Sequence, residues 1–200
     1  MRLLLATRNA GKLAELRRIV GEHAGGIEVL GLADLPEYPE APETGATFEE
    51  NALAKARDAV AATGLPSVAD DSGLTVDALG GMPGVLSARW SGRHGDDLAN
   101  LELVLGQIAD TPDERRGAAF VCAAALVTPG GAETVLLGQW RGRLIRAPRG
   151  ENGFGYDPIF VPDGEQRTSA ELPAAEKDAA SHRGRAFRAL APALHALADA

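Results

Sequence analysis

The segment "AAFVCAAALVTPGGAETVLLGQWRGRL", residues 118–144, contains two long apolar-rich runs on either side of the sequence "PGGA". Proline and glycine at such a break favour a tight reversal of the chain. The two runs therefore predict a β-hairpin in the middle of the protein, and this hairpin decides what kind of sheet the chain forms.

Further strands are predicted on both sides of the hairpin. Their common feature is a short apolar run that stops at polar residues, glycine or proline. These runs are "RLLLAT" (2–7), "IEVLGL" (27–32), "PSVAD" (66–70), "GLTVDAL" (73–79) and "DPIFVP" (157–162).

Helices are predicted where apolar residues recur at intervals of three or four. One begins near Lys12, and a second begins at the capping-box sequence "TFEE" (47–50) and ends at Gly64. The others span 97–108 and the segment after Ser181. Their predicted inward residues are Leu53, Ala56 and Val60 in the second helix, Leu98, Leu101, Leu105 and Ile108 in the third, and Phe187, Leu190 and Leu194 in the last.

Helices alternate with strands early in the chain, while the hairpin dominates the middle. This order predicts the α/β class, with a mixed sheet, helices packed on it, and one domain over residues 1–200.

The composition excludes several classes of function. The net charge is −8, which argues against non-specific binding to nucleic acid or to an anionic membrane. No apolar run approaches transmembrane length. Cys122 is a lone cysteine in an apolar run, which suits a reducing compartment, so a cytoplasmic protein is expected.

The sequence "TRNAGK", residues 7–12, lies between a predicted strand and a predicted helix. Backbone N–H groups at a helix start, with Arg8 and Lys12 as added cations, favour phosphate binding. The Walker pattern is absent, because the leading glycine is missing and Leu13 follows "GK". An ordinary strand–helix turn is equally compatible with these residues.

The tripeptide Asp70–Asp71–Ser72 follows a predicted strand, where ligands of α/β proteins commonly bind. Because successive side chains of a strand point to opposite faces, one aspartate can face a cleft while the other bonds the scaffold. Carboxylate oxygens suit Mg²⁺, which would offset the repulsion of the pair. Asp, Ser and Gly also form ordinary turns, so the tripeptide alone leaves both interpretations open.

Two later segments are candidates for substrate contact. In "ENGFGYDP" (151–158), Phe154 and Tyr156 offer flat faces for a planar base between glycines, although such segments also occur in plain loops. In "EKDAASHRGRAFR" (176–188), basic residues fall in the first turn of the last helix, where they oppose the helix dipole unless an anion lies nearby. A solvated helix face is the alternative for that segment.

Taken together, the chain resembles the inosine/xanthosine triphosphate pyrophosphatases over nearly its whole length. The matching segments are "ATRNAGK" (6–12), "ETGATFEENALAKA" (43–56), "ADDSGLTVDALGGMPGVLSARWSG" (69–92), "GFGYDPIF" (153–160) and "AELPAAEKDAASHRGRA" (170–186). Several motifs in the right order make the match specific. The resemblance implies an elongated α/β fold with a long central mixed sheet and two lobes, and a homodimer.

The resemblance also implies roles for individual residues. Asp71 is the metal-linked carboxylate and proton acceptor, and Glu43 is a second metal ligand. Pro42 stands where some relatives have another acid, so Glu37 or Glu40 is an alternative ligand, and Arg8 stands where a smaller residue is common. The implied substrate-binding residues are Thr7, Arg8, Asn9, Ala10, Gly11, Lys12, Ser72, Phe154, Gly155, Tyr156, Asp157, Lys177, His182 and Arg183.

The implied activity is Mg²⁺-dependent hydrolysis of non-canonical purine nucleoside triphosphates (ITP, dITP, XTP) to the monophosphate and pyrophosphate. Such an enzyme keeps these bases out of DNA and RNA. The expected partner is the nucleotide itself. A nucleotide-binding sensor without catalysis and a purely structural dimerisation module are the competing hypotheses.

Overall fold

The computed structural model describes residues 1–9, 12–14, 17–18, 27–36, 38–39 and 42–198. Within them it contains a sheet of six strands: β1 (Arg2–Leu5), β2 (Glu28–Gly31), β3 (Ser67–Val76), β4 (Gly117–Val127), β5 (Glu133–Leu144) and β6 (Phe160–Pro162). The order of hydrogen-bonded neighbours is β2-β1-β3-β4-β5-β6.

The sheet is mixed, as the sequence predicts. Strand β1 is parallel to both of its neighbours, β2 and β3, and Leu4 of β1 pairs with Ser67 of β3. Strand β5 is antiparallel to β6. Strands β4 and β5 are neighbours joined by a tight turn, in which Thr128 N donates to Ala132 O at 3.0 Å. Since a connection this short joins only antiparallel strands, the predicted hairpin is confirmed.

Four α-helices accompany these strands in the described residues: α1 (Phe48–Thr63), α2 (Asp97–Gln107), α3 (Ala174–Ala180) and α4 (His182–Ala198). Thr47 Oγ1 accepts a hydrogen bond from Glu50 N, while the Glu50 carboxylate accepts from Ala46 N. Gly64 ends α1 in the left-handed conformation with φ 68°, which glycine adopts without steric cost. The predicted start and end of α1 are therefore confirmed. Lys12–Ala14 and residues 17–18 are helical, as predicted.

Strand β3 corrects the prediction of two short strands. It runs without a break from Ser67 to Val76, so the aspartate pair lies within a strand rather than in a turn. Gly73 lets the backbone of Gly84 approach the strand closely, because a Cβ at position 73 would lie 2.5 Å from Gly84 O. A neighbouring segment thus packs directly on the strand backbone.

Two of the predicted helix faces are rotated relative to the observed ones. In α1 the fully buried positions are Ala52, Ala56 and Ala59, and Leu53 and Val60 are only half-buried. In α2 Leu98 is 64% exposed while Val104 is buried. Small alanines let α1 approach its neighbours closely, which the spacing of large apolar residues does not reveal. In α4 the predicted inward residues Phe187, Leu190 and Leu194 are all buried.

The chain divides into two compact units, in agreement with the two lobes expected. Unit 1 comprises Met1–Asp71, Cys122–Gly138 and His182–Ala200, and unit 2 comprises Ser72–Val121 and Gln139–Ser181. Strands β3, β4 and β5 contribute residues to both. None of the helices in the described residues is long and apolar enough to cross a bilayer.

Each unit has its own apolar core. In unit 1 the face of α4 packs with residues of β1, β3 and β4, including Leu5, Val68 and Phe187. In unit 2 the core combines α2 residues with aromatic side chains such as Trp140 and Phe160. Arg116 is fully buried there and donates to the carbonyls of Ile108, Leu144 and Ile145, which joins the end of α2 to the end of β5.

Replacement of Gly138 by Ala should destabilise the protein by about 1–3 kcal/mol, the usual cost of overpacking. Gly138 lies on β5 against the first turns of α4, and an added Cβ would lie 2.6 Å from Ala186 N and closer still to His182 O. The matched control is Gly106→Ala in α2, where nothing lies within 4 Å of the added carbon. This change should be neutral or stabilising, because alanine favours helix. Urea unfolding of both variants measures the difference, and equal stability would contradict the close approach.

Candidate active site

Asp70 and Asp71 lie in the middle of β3 and are almost completely buried, at 2% and 5% exposure. Side chains alternate between the faces of a strand. Val68, two residues before Asp70, packs in the core beneath α4, so Asp70 points to that face. Asp71 points to the opposite face, towards α1. The two carboxylates therefore meet different partners.

Asp70 is neutralised by two cations. Its Oδ2 lies 3.0 Å from Lys12 Nζ and 3.3 Å from Arg183 Nε. Burial on its own would raise the pKa of Asp70, but the charges of Lys12, Arg183 and Lys55 outweigh it and hold the pKa well below its usual value. The sequence predicts an anion near the basic residues in the first turn of α4. Asp70 is that anion for Arg183.

Asp71 is held by two residues of α1. Its Oδ2 accepts from Asn51 Nδ2 at 3.0 Å, and its Oδ1 lies 3.4 Å from Lys55 Nζ. Burial raises the pKa of Asp71, the charge of Lys55 lowers it, and Glu43 raises it again, with a net upward shift. A carboxylate with a raised pKa is a better proton acceptor at neutral pH than an ordinary aspartate.

Asn51 and Lys55 were not predicted from the sequence as site residues. They stand four residues apart and therefore on one side of α1. Asn51 is 1% exposed, and its Oδ1 also accepts from Gly45 N at 2.8 Å. The sequence did contain one signal for these site residues. Asn51 and Lys55 are polar, yet they lie beside the buried alanines of α1.

Glu43 also contacts Lys55, whose Nζ donates to Glu43 Oε1 at 2.8 Å. The two predicted metal ligands, Glu43 and Asp71, thus share one cation. Burial would lower the pKa of Lys55, but Asp71, Asp70 and Glu43 together raise it, so its ammonium is retained. This donor set fits Mg²⁺, which is commonly bound by one or two protein carboxylates together with substrate phosphates and water.

The described residues contain no cluster of three or more His, Cys, Asp or Glu side chains suited to a metal. Glu37 and Glu40, the alternative ligands, lie outside the described residues. Of the predicted metal ligands, the described residues include Glu43 and Asp71, and these two contact the same ammonium.

The predicted phosphate loop is described at residues 7–9 and at Lys12, and Ala10 and Gly11 lie outside the described residues. Asn9 Oδ1 accepts from Lys12 N at 3.0 Å, and Thr7 Oγ1 accepts from Asn9 N at 3.3 Å. Asn9 thereby caps the following helical segment. Arg8 is exposed and donates to Tyr38 O at 3.5 Å.

Unit 2 carries the predicted base-contacting loop, and Asp157 organises it. Asp157 Oδ2 accepts from Lys177 Nζ at 2.6 Å and from Phe154 N at 2.9 Å, and its Oδ1 accepts from Ser169 Oγ at 2.7 Å. Lys177 Nζ lies 5.4 Å from the centre of the half-buried Phe154 ring. Both carboxylate oxygens of Asp157 are thus engaged within the loop and its support, rather than exposed as acceptors for a ligand.

Tyr156 differs from the prediction that its ring offers a flat face to a base. The ring is 5% exposed within the core of unit 2, and its hydroxyl donates to Ser87 O at 2.8 Å. Burial raises the pKa of Tyr156 far above its usual value. The correction follows from a contact 69 residues away in sequence, and it leaves Phe154 as the loop's accessible ring. Asp97 Oδ2, at the start of α2, accepts from Gly155 N at 2.9 Å.

The remaining predicted residues are distributed between the units. Ser72 follows Asp71 on β3 and is half-buried. His182 opens α4 and is 3% exposed. The basic segment 176–188 is divided: Lys177 on α3 pairs with Asp157 in unit 2, and Arg183 on α4 pairs with Asp70 in unit 1. These cations are buried ion-pair partners, so the solvated-face interpretation is wrong for them.

Residues 3–193 match the model of the Ham1 family. The chain belongs to the Ham1 family. Among curated members, it is 69% identical to a dITP/XTP pyrophosphatase of Nocardia farcinica over 199 residues, covering 99% of this chain and 97% of that protein. It is 65% identical to a dITP/XTP pyrophosphatase of Mycobacterium tuberculosis over 198 residues, covering 98% and 97%.

Solved structures of Ham1 proteins agree with the fold. A HAM1 protein from Coxiella burnetii has a TM-score of 0.87 at 42% identity, with 98% of each chain covered. A crystal structure of a nucleoside-triphosphatase / dITP/XTP pyrophosphatase from Mycobacterium abscessus has a TM-score of 0.78 at 65% identity, covering 95% of this chain and 98% of that one.

Replacement of Asp70 by Asn should lower the free energy of unfolding by about 3 kcal/mol at pH 7, because Lys12 and Arg183 lose a buried partner. The folded-state pKa of Asp70 is lower than its unfolded value near 4. Its contribution is therefore complete above about pH 4 and is lost as the pH falls through the folded-state pKa. The difference between variant and wild type should shrink below about pH 4.

Urea unfolding from pH 7 down to pH 3 measures this difference. Asp77→Asn is the control, because Asp77 forms an exposed ion pair with Arg141 and should contribute less than about 1 kcal/mol. A loss for Asp70→Asn that is small at pH 7, or that does not change with pH, would contradict the charged pairing.

Proposed function

We propose that this chain is an enzyme that hydrolyses non-canonical purine nucleoside triphosphates, such as dITP, ITP and XTP, to the monophosphate and pyrophosphate. The observation that carries the proposal is the buried acid pair on β3 with a separate lysine on each aspartate. Family membership and end-to-end identity with curated dITP/XTP pyrophosphatases support it.

Asp71 is proposed as the proton acceptor for the attacking water. Asn51 donates to one of its oxygens and Lys55 contacts the other, so two residues of α1 fix the position of the carboxylate. A base whose position is fixed before substrate arrives avoids the cost of ordering it during the reaction. We assign the proposed attack to the α-phosphorus, so that the α–β anhydride bond breaks, the water oxygen enters the monophosphate and pyrophosphate leaves.

The phosphate chain is assigned to the segment from Thr7 to Lys12 and to Arg183. Lys12 and Arg183 are held by Asp70, which fixes the positions of both cations. Cations placed in this way stabilise negative charge as the phosphoanhydride bond breaks. Glu43 and Asp71 are proposed to hold Mg²⁺, which when bound would supply positive charge to the phosphates and acidify water.

Phe154 is proposed as the ring that stacks on the base. The backbone N–H groups of Phe154 and Gly155 already donate to Asp157 and Asp97. His182 is therefore the proposed donor to the 6-oxo group of hypoxanthine or xanthine. A donor at that edge would face the 6-amino group of adenine unfavourably, and such mismatches discriminate strongly.

The proposal also includes three finer points: magnesium as the metal, a homodimer as the assembly, and the cytoplasm as the location. We also propose that residues 1–200 form a single domain and that the protein has no nucleic-acid partner. Support for the location is the single cysteine, Cys122, which is buried and unable to form an internal disulfide.

Incubation with ITP, dITP or XTP and Mg²⁺ should release pyrophosphate in equal amount to the monophosphate, with ATP and GTP turned over far more slowly. Asp71→Asn should reduce kcat by at least about a hundredfold, since general-base catalysis contributes 10²–10⁴. Asp113→Asn, at an exposed ion pair with Arg146, is the control that should keep full activity. Release of orthophosphate alone, or tight ITP binding without hydrolysis, would contradict the proposal; the second result identifies a sensor.

Phe154→Ala should raise KM for ITP about tenfold with a smaller change in kcat, because stacking on one base contributes about 1–3 kcal/mol. The control is Tyr156→Phe, which keeps the ring and removes only the hydroxyl that donates to Ser87 O. That variant should lose about 1 kcal/mol of stability and keep its KM. Steady-state kinetics on both variants test the assignment, which fails if the two affect KM equally.

A further inference from the structure

We propose that Lys55 is a built-in cation that holds Glu43 and Asp71 together when no divalent metal is bound, and that it competes with the metal for these carboxylates. Lys55 is thus a positioning residue for the metal site. The inference rests on the proposed function only in taking Glu43 and Asp71 as the metal ligands.

The geometry places one ammonium between the two carboxylates. Lys55 Nζ is 2.8 Å from Glu43 Oε1 and 3.4 Å from Asp71 Oδ1. The three side chains are largely screened from water, with exposures of 18% for Lys55, 29% for Glu43 and 7% for Asp71. The ammonium therefore contacts both of the carboxylates that are proposed to hold the metal.

Electrostatics requires a positive charge at this point. Two carboxylates that share one cation repel each other strongly in a partly buried site once that cation is removed. Glu43 belongs to a segment without helix or strand, whereas Lys55 lies in the middle of the 16-residue helix α1. Lys55 thus ties an irregular segment to a rigid element and keeps the acid pair assembled.

The same contact must weaken metal binding. A divalent ion that reaches Glu43 and Asp71 meets the charge of Lys55 within a few ångströms, and like charges at that distance repel. Lys55 must therefore withdraw from at least one carboxylate when the metal binds. Asp71 keeps its position during this exchange because Asn51 holds its other oxygen.

The small number of lysines makes a movement of Lys55 away from the carboxylates measurable. Lys12, Lys55 and Lys177 are the three lysines of the sequence, and every other residue among the 20 Lys+Arg is an arginine. Lys12 pairs with Asp70 and Lys177 with Asp157. Amine-specific labelling therefore reports on Lys55 against two internal references.

The first test compares Lys55→Met with Arg57→Met in the full chain without nucleotide. Arg57 lies on the same helix and pairs with Glu133 at an exposed position, so it is a matched loss of one cation. In EDTA, Lys55→Met should melt several degrees below both wild type and Arg57→Met. Titration with Mn²⁺, followed by the EPR signal of the free ion, should show at least about tenfold tighter binding for Lys55→Met, as expected when a like charge is removed. Arg57→Met should bind Mn²⁺ as wild type does.

The second test uses the unmodified protein and so does not depend on folding of the variant. Reductive methylation followed by peptide mapping should show that saturating Mn²⁺ accelerates modification of Lys55 severalfold, with Lys12 and Lys177 unchanged. Unchanged or weaker Mn²⁺ binding by Lys55→Met, or Mn²⁺ protection of Lys55 from methylation, would overturn the inference. Neither readout involves nucleotide hydrolysis, so a failure here is distinguishable from a failure of the proposed activity.

Discussion

Two adjacent carboxylates are buried in β3, and the strand directs them to opposite faces, where each contacts different cations. Asp70 is compensated by Lys12 and Arg183, and Asp71 by Lys55 together with the amide of Asn51. An isolated buried carboxylate would be too costly to keep charged. The helical segment after β1, helix α1 and the first turn of α4 must therefore all reach the middle of β3, and this requirement sets the arrangement of unit 1.

Unit 2 also contains a buried aspartate that is paired with a cation. Asp157 is 3% exposed and binds Lys177, Ser169 and the backbone of its own loop. Buried ion pairs of this kind contribute little net stability, because desolvation offsets their attraction, but breaking one is costly. In both units the value of the pairs lies in fixing where charged groups stand, which is what a site for a highly charged substrate requires.

The sequence predicted the features that depend on neighbouring residues and missed those that depend on distant ones. The hairpin, the Thr47 and Gly64 caps and the inward face of α4 follow from local spacing. The partners of Asp71 come from 16 and 20 residues away, and the Ser87 carbonyl that binds Tyr156 is 69 residues away. No pattern along the chain specifies such contacts. Resemblance to a family pointed to Asp71 and Glu43, but not to the lysine shared between them.

Gly155 and Tyr156 are neighbours in one loop, but their hydrogen bonds differ in exposure to solvent. The Tyr156 hydroxyl bonds Ser87 O inside the core, whereas the Gly155 amide bonds Asp97 at an exposed position. A solvent-exposed hydrogen bond contributes only about 1 kcal/mol, less than twice the thermal energy, so it is a weak restraint. Arg116 meanwhile anchors the far end of α2, the helix that carries Asp97. The buried bond of Tyr156 therefore holds its part of the loop more firmly than the exposed bond of Gly155 does.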